Sequence, residues 1–149
     1  MHASTRMFRR HAACVLMPLL LAAGTTIAGD AGMPTPIHQL RIYAIFDDTR
    51  DAFHERFRDH AMRIMARHGF DVVATWESRD ADGRLRFVYL LQWPDEDTMR
   101  ERWAAFMADA EWAEIKRHTA REHGQFVGDI EELTLVPTAY SPHAAFTGD

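Results

Sequence analysis

Residues 84–93 read as a strand that is apolar on both faces, and this constrains the fold more than any other feature of the chain. Phe87, Tyr89, Leu91 and Trp93 alternate with Val88 and Leu90. Successive strand side chains point to opposite faces, so both faces need a cover. Helices packed on one side of a single sheet cover only one of them. The other face calls for a partner, because large exposed apolar patches mark interaction surfaces.

The rest of the pattern supplies the sheet and one helix layer. Residues 37–46 alternate, with Leu40, Ile42, Ala44 and Phe46 on one face and Arg41, Tyr43 and Ile45 on the other. Asp47, Asp48 and Thr49 offer capping oxygens for a helix that runs to His68, where Gly69 suits the residue after a helix end. At 100° per residue Phe53, Phe57, His60, Ala61, Ile64 and His68 share one apolar sector. Residues 70–77 form a second strand, joined to the third by a turn at residues 80–83. A helix over residues 98–108, a re-capping Asp109, a helix from Ala110 to about His123 and a strand over residues 126–136 complete the order. This is an α+β chain with the βαββαβ order of ferredoxin-like domains. Two such antiparallel sheets packed face to face give a dimeric α+β barrel, with about 1,600 Å² or more buried.

The N-terminus reads as a separate segment. Arg6, Arg9 and Arg10 precede an apolar run over residues 12–23, and small residues lead to Ala28. That is the layout of a secretory signal peptide over residues 1–28, with a second cleavage position after Ala31. The run is shorter than the roughly 20 residues a membrane span needs, so no integral span is expected after its removal. A secreted or periplasmic protein follows, with residues 29–36 as linker, 37–137 as the domain and 138–149 as a loose tail. Removing residues 1–28 also removes Cys14, the only cysteine, and three basic residues. The remaining 121 residues carry 14 basic against 22 acidic side chains, a net charge of −8. Thiol chemistry is then excluded, and so is nucleic acid, which needs clustered Lys and Arg.

Several segments, taken in order, resemble the NIPSNAP family. They are the opening strand His38-Gln39-Leu40-Arg41-Ile42-Tyr43, then Phe57-Arg58-Asp59-His60-Ala61, His68-Gly69-Phe70 and Thr75-Trp76. Phe87 to Trp93, the helix break Phe106-Met107-Ala108-Asp109-Ala110-Glu111-Trp112 and the C-terminal Leu135-Val136-Pro137-Thr138 and Tyr140-Ser141-Pro142 follow. The chain departs from the family pattern at His38-Gln39 and at Ala110, where proline is usual. The resemblance covers residues 38–142. It implies a dimeric α+β barrel and kinship with cofactor-free monooxygenases and haem-degrading enzymes of that fold, and carries over no catalytic residue.

Candidate chemistry is sparse. His60 lies in the apolar sector of the first helix, facing the space between helix and sheet, where a neutral imidazole can move a proton; the plainer reading is a packed histidine. His68 shares that sector as a candidate ligand-binding residue; the plainer reading is again a packed histidine, which also suits a helix C-terminus. Tyr43, Tyr89, Trp76 and Trp103 supply aromatic surface with O–H and N–H handles for a flat or apolar ligand; the plainer reading is core packing. No HxxxH or HExxH spacing occurs, and His60 and His68 stand about 12 Å apart along a helix, so no metal site is expected. No glycine-rich phosphate loop occurs, and no cofactor is expected. Glu131 and Glu132 either flank a pocket or blunt an edge strand. The preferred reading is an exported homodimeric module that binds a small apolar or aromatic molecule. The alternatives are a cofactor-free monooxygenase- or isomerase-like enzyme using His60 as proton carrier, and a structural protein-interaction module.

Overall fold

A computed structural model describes residues 35–146; the expected signal peptide and most of the linker lie outside them. Four strands, β1 (Ile37–Ile45), β2 (Asp71–Arg79), β3 (Leu85–Trp93) and β4 (Val127–Leu135), pair antiparallel in the order β2-β3-β1-β4. The register sets Leu40 against Leu90 and Leu133, and Tyr43 against Phe87 and Ile130. Three helical segments pack on one face. The first, α1, is built of Arg50–Glu55, a π-helical Arg56–Ala61 and Met62–Arg67. Two more follow, α2 (Glu96–Met107) and α3 (Ala110–His123). The domain is α+β with ferredoxin-like connectivity, as the strand patterning implies.

β3 shows why the sheet orders the core. Every second residue from Leu85 to Trp93 is buried, and these side chains meet Phe53, Phe57, Ile64 and Phe70 of the α1 layer and its exit. Phe57 and Phe87 lie edge to face with centroids 4.6 Å apart, and Phe70 meets Trp93 at 4.7 Å. Burying one such ring stabilises a fold by about 1.5–3 kcal/mol. The ring pairs therefore fix both the distance and the angle between α1 and the sheet.

Local signals set the helix ends, with two departures from expectation. Asp95 accepts from the Thr98 N–H at 2.7 Å, so α2 starts at Glu96, two residues earlier than Thr98. Asp109 caps α3 as expected, accepting from the Trp112 N–H at 3.0 Å. Residues 47–49 form a single 3₁₀ turn, and no side chain caps α1. Asp47 bonds Arg79 instead, and the Thr49 hydroxyl is buried without a partner among the described residues. Gly69 closes α1 with φ +74°.

The π-helical turn shifts the phase of α1. Met62 N–H bonds the Phe57 carbonyl, five residues back, so the turn holds one residue more than an α-helical turn. The 100° extrapolation holds for Ala61 and Ile64 but fails for the two histidines. Met65 is buried with Ile64, whereas His60 and His68 rotate to half-buried positions.

The other sheet face has no helix on it. Leu40, Ile42, Val88 and Leu90 sit there half-buried, flanked by exposed Trp76, Leu133 and Leu135 on the edge strands. The C-terminal segment is not wholly loose. The Phe146 N–H donates to the Gln92 side chain at 2.6 Å, and its ring meets His38 edge-on at 5.1 Å. Among the described residues no helix is long and apolar enough to cross a membrane.

Candidate functional site

Between the helix layer and the sheet lies a cavity of about 280 Å³. Its sheet wall is Arg41 and Tyr43 of β1 with Val127 and Ile130 of β4. Strand alternation puts Arg41, Tyr43 and Ile130 on the helix side, and the register shift between Tyr43 and Ile45 brings Val127 to that side as well. The π-helical turn contributes Arg56, Phe57 and Ala61, flanked by Phe53 and Met65. Such turns open a helix locally and recur at functional sites. Trp103 and Phe106 of α2 and Trp112 and Lys116 of α3 close the far side. Small-molecule pockets run to about 300–1,000 Å³ and combine apolar walls with a few placed polar groups. This cavity lies just below that range.

One polar chain lies against the cavity. The Gln39 amide oxygen accepts from the indole N–H of Trp93 at 3.2 Å and of Trp103 at 2.8 Å, and its NH₂ donates to Glu132 at 2.8 Å. Glu132 also accepts from Arg41 Nη1. Arg41 Nη2 donates to the Tyr43 hydroxyl at 3.3 Å, and the Tyr43 and Tyr89 hydroxyls are 2.7 Å apart. The Arg41 guanidinium also lies over the Trp103 ring at 4.5 Å.

Electrostatics keep this end cationic. Burial works against the charge on Arg41, but Tyr43, Tyr89 and Glu132 outweigh it and hold the guanidinium above arginine's ordinary value. Burial, with Tyr43 adding to it, pushes the Tyr89 hydroxyl above the usual tyrosine range, so it stays protonated. Burial draws Arg56 down to about 10, which leaves it charged at pH 7.

Of the residues singled out from sequence, Tyr43 and Trp103 line the cavity and Tyr89 backs it through Tyr43. The other three lie elsewhere. Trp76 is on the open sheet face, 50% exposed. The His68 ring bonds Asp109 at 2.8 Å at the junction of α1 and α3. His60 sits in a separate depression with Thr119, His118 and Glu122, because the π turn rotates it off the expected sector. Gln39, Arg41, Arg56 and Lys116 were not among the candidates. Gln39 and Arg41 do fall on the same alternating face as Tyr43, and Arg56 lies within one helical turn of Phe53 and Phe57. Those positions are the signal that marks them. Among the described residues no cluster of His, Cys, Asp or Glu is placed to hold a metal ion.

A four-stranded antiparallel sheet with one helix layer, and a ligand-sized cavity between the two, defines a ferredoxin-like α+β domain. Residues 38–142 match the NIPSNAP family, and the chain belongs to it. An uncharacterised NIPSNAP-like domain protein from Burkholderia xenovorans superposes with a TM-score of 0.62 at 20% identity, over 74% of this chain and 91% of that one. A NIPSNAP family protein of unknown function from Agrobacterium tumefaciens gives 0.61 at 20% identity, over 74% and 96%. A second Agrobacterium tumefaciens family protein gives 0.59 at 19% identity, over 72% and 97%. At these identities the likeness is one of fold. No functionally curated protein matches the sequence.

Proposed function

We propose that this NIPSNAP domain is exported, pairs with a second copy through its open sheet face, and binds a small, flat, apolar or aromatic molecule in the cavity between α1 and the sheet. One observation carries the ligand reading: a cavity of about 280 Å³ walled by Phe57, Trp103, Phe106 and Trp112, with Arg41, Tyr43, Arg56 and Lys116 as its few polar groups. Apolar walls supply affinity, and the converging donors set orientation. Export rests on the basic and apolar pattern of residues 1–28. Pairing rests on the apolar face that no helix covers.

Tyr43 has the chemistry of a hydrogen-bond donor to the ligand. An arrangement in which Tyr89 donates to Tyr43 satisfies Tyr89 and leaves the Tyr43 proton for an acceptor in the cavity. His60 gives the enzymatic alternative no support, since it does not line the cavity.

Native mass spectrometry of the protein expressed with its N-terminal segment and purified from the periplasm tests the reading. The expected result is a mature chain carrying one small molecule per subunit, lost when Ala61 is replaced by Trp to fill the cavity. A bare mass from the periplasm, together with no thermal shift across a library of aromatic compounds, overturns it.

A further inference from the structure

The chain is acidic, yet its cavity is cationic. Formal net charge is −5, but Arg41, Arg56 and Lys116 line the cavity and no carboxylate does. Glu132 reaches the site only through Arg41.

Arginine pairing elsewhere makes Arg56 stand out. Of the 13 arginines among the described residues, 11 lie within ion-pair distance of a carboxylate. The exceptions are Arg102, exposed on α2, and Arg56, half-buried against the cavity. Arg56 Nη1 donates to the Thr119 hydroxyl at 3.0 Å, and its guanidinium lies over the Phe126 ring at 4.3 Å. Those contacts hold the group in place without neutralising it. Lys116 stands over the Trp112 ring at 5.7 Å, also without a carboxylate among the described residues. The Arg41 Nε–H is buried with no acceptor among the described residues. A half-buried cation with no counter-ion among the described residues carries a desolvation cost that a bound anion relieves.

We infer that the cavity selects ligands bearing a single anionic oxygen group, a carboxylate or an ionised phenol or enol, on a flat apolar body, with Arg56 and Lys116 facing the charge. This rests on the cavity being a ligand site. The body stacks among Phe57, Trp103 and Trp112, and the charge meets the two cavity cations that have no carboxylate partner among the described residues. The Tyr43 hydroxyl and the Arg41 guanidinium serve the ligand's remaining oxygen. Planar guanidinium groups suit carboxylate oxygens because they can donate two parallel N–H bonds.

Isothermal titration calorimetry on residues 29–149, at pH 7 and at low and at physiological salt, with 2-naphthoate, 2-naphthylmethanol and 2-naphthylmethylammonium separates the two readings. The expected order is naphthoate tightest by at least tenfold, the neutral alcohol next and the ammonium weakest. Arg56→Met is expected to remove most of the tenfold preference and keep alcohol binding. Arg56→Lys is expected to restore part of the preference. Lys116→Met, on the second cavity cation, is expected to lower the preference as well. Alcohol binding as tight as naphthoate overturns the charge selection and leaves the cavity reading standing. A preference unchanged in both Met variants overturns the roles of Arg56 and Lys116. No binding by any of the three probes overturns both readings.

Discussion

Gln39 is 1% exposed and holds three groups at once: the indole N–H of Trp93, the indole N–H of Trp103, and the Glu132 carboxylate. Trp93 is fully buried, so its N–H has no water to turn to. An apolar isostere strands a buried donor, which costs about 1–3 kcal/mol per group. Gln39→Leu is therefore expected to lower unfolding free energy by about 2–4 kcal/mol in urea titration at pH 7. A loss below about 0.5 kcal/mol would mean that the indoles need no partner. The same residue shows why parts of the cavity are hard to read from sequence. Tyr43 and Tyr89 are legible, because aromatic residues on an alternating strand point to a buried face. Gln39 and Arg41 share that face, but a polar residue in an alternating strand equally fits a solvated one. Only the pairing across to Glu132, 93 residues away in the chain for Gln39, tells them apart. Arg56 is hidden differently, since its significance is the lack of a carboxylate partner among the described residues.

At the scale of elements, Asp109 sits where two helices are joined. One oxygen caps α3 through the Trp112 N–H; the other accepts from His68 at 2.8 Å and Arg67 at 2.7 Å. The His68 hydrogen bond, then the cap and Arg67, hold the Asp109 carboxyl well below the usual carboxylate range. Beside it, Glu111 bonds Arg63 and Arg67 and is drawn down to about 2 from 4.5. Carboxylates depressed in the folded state add stability that is complete above their unfolded values and is lost as pH falls through the folded ones. Stability is therefore expected to drop as pH falls from about 4.5 towards 2, measured by thermal unfolding across that window. Asp109→Asn combined with Glu111→Gln keeps hydrogen-bonding side chains at both positions and is expected to flatten the slope there. An unchanged slope would place the acid sensitivity elsewhere. Strands, turns and two of the helix ends were readable because each has a local cause: alternation in β1 and β3, Asp109 before α3, Gly69 after α1. The π-helical turn was not readable. No proline or glycine marks residues 56–61, which read as ordinary helix, and the turn carries His60 out of the sector that a uniform 100° step assigns.

For the whole molecule, the decisive surface is the sheet face opposite the helices. Four strands about 4.8 Å apart, each nine residues long at about 3.3 Å per residue, present a rectangle of roughly 19 by 30 Å. Corrugated by side chains, that face approaches the ~800 Å² per partner of a standard stable interface. Its centre, Leu40, Ile42, Val88 and Leu90, is continuous with exposed Trp76 on one edge strand and Leu133 and Leu135 on the other. The cavity opens on the other side of the sheet, so pairing and ligand binding are separable. Trp76→Lys with Leu133→Lys puts two charges on this face at positions exposed in the single chain, where folding of the subunit tolerates them. The expected outcome by sedimentation velocity at micromolar concentration is a dimer for residues 29–149 and a folded monomer for the double variant, with naphthoate affinity within about threefold of the parent. A parent chain that sediments as a folded monomer removes self-pairing as the explanation of this face. A dimer that survives both charges places the contact on another surface. Loss of naphthoate binding in an otherwise folded monomer would show that the second copy shapes the cavity through β1, whose alternate residues face the cavity and the open face in turn.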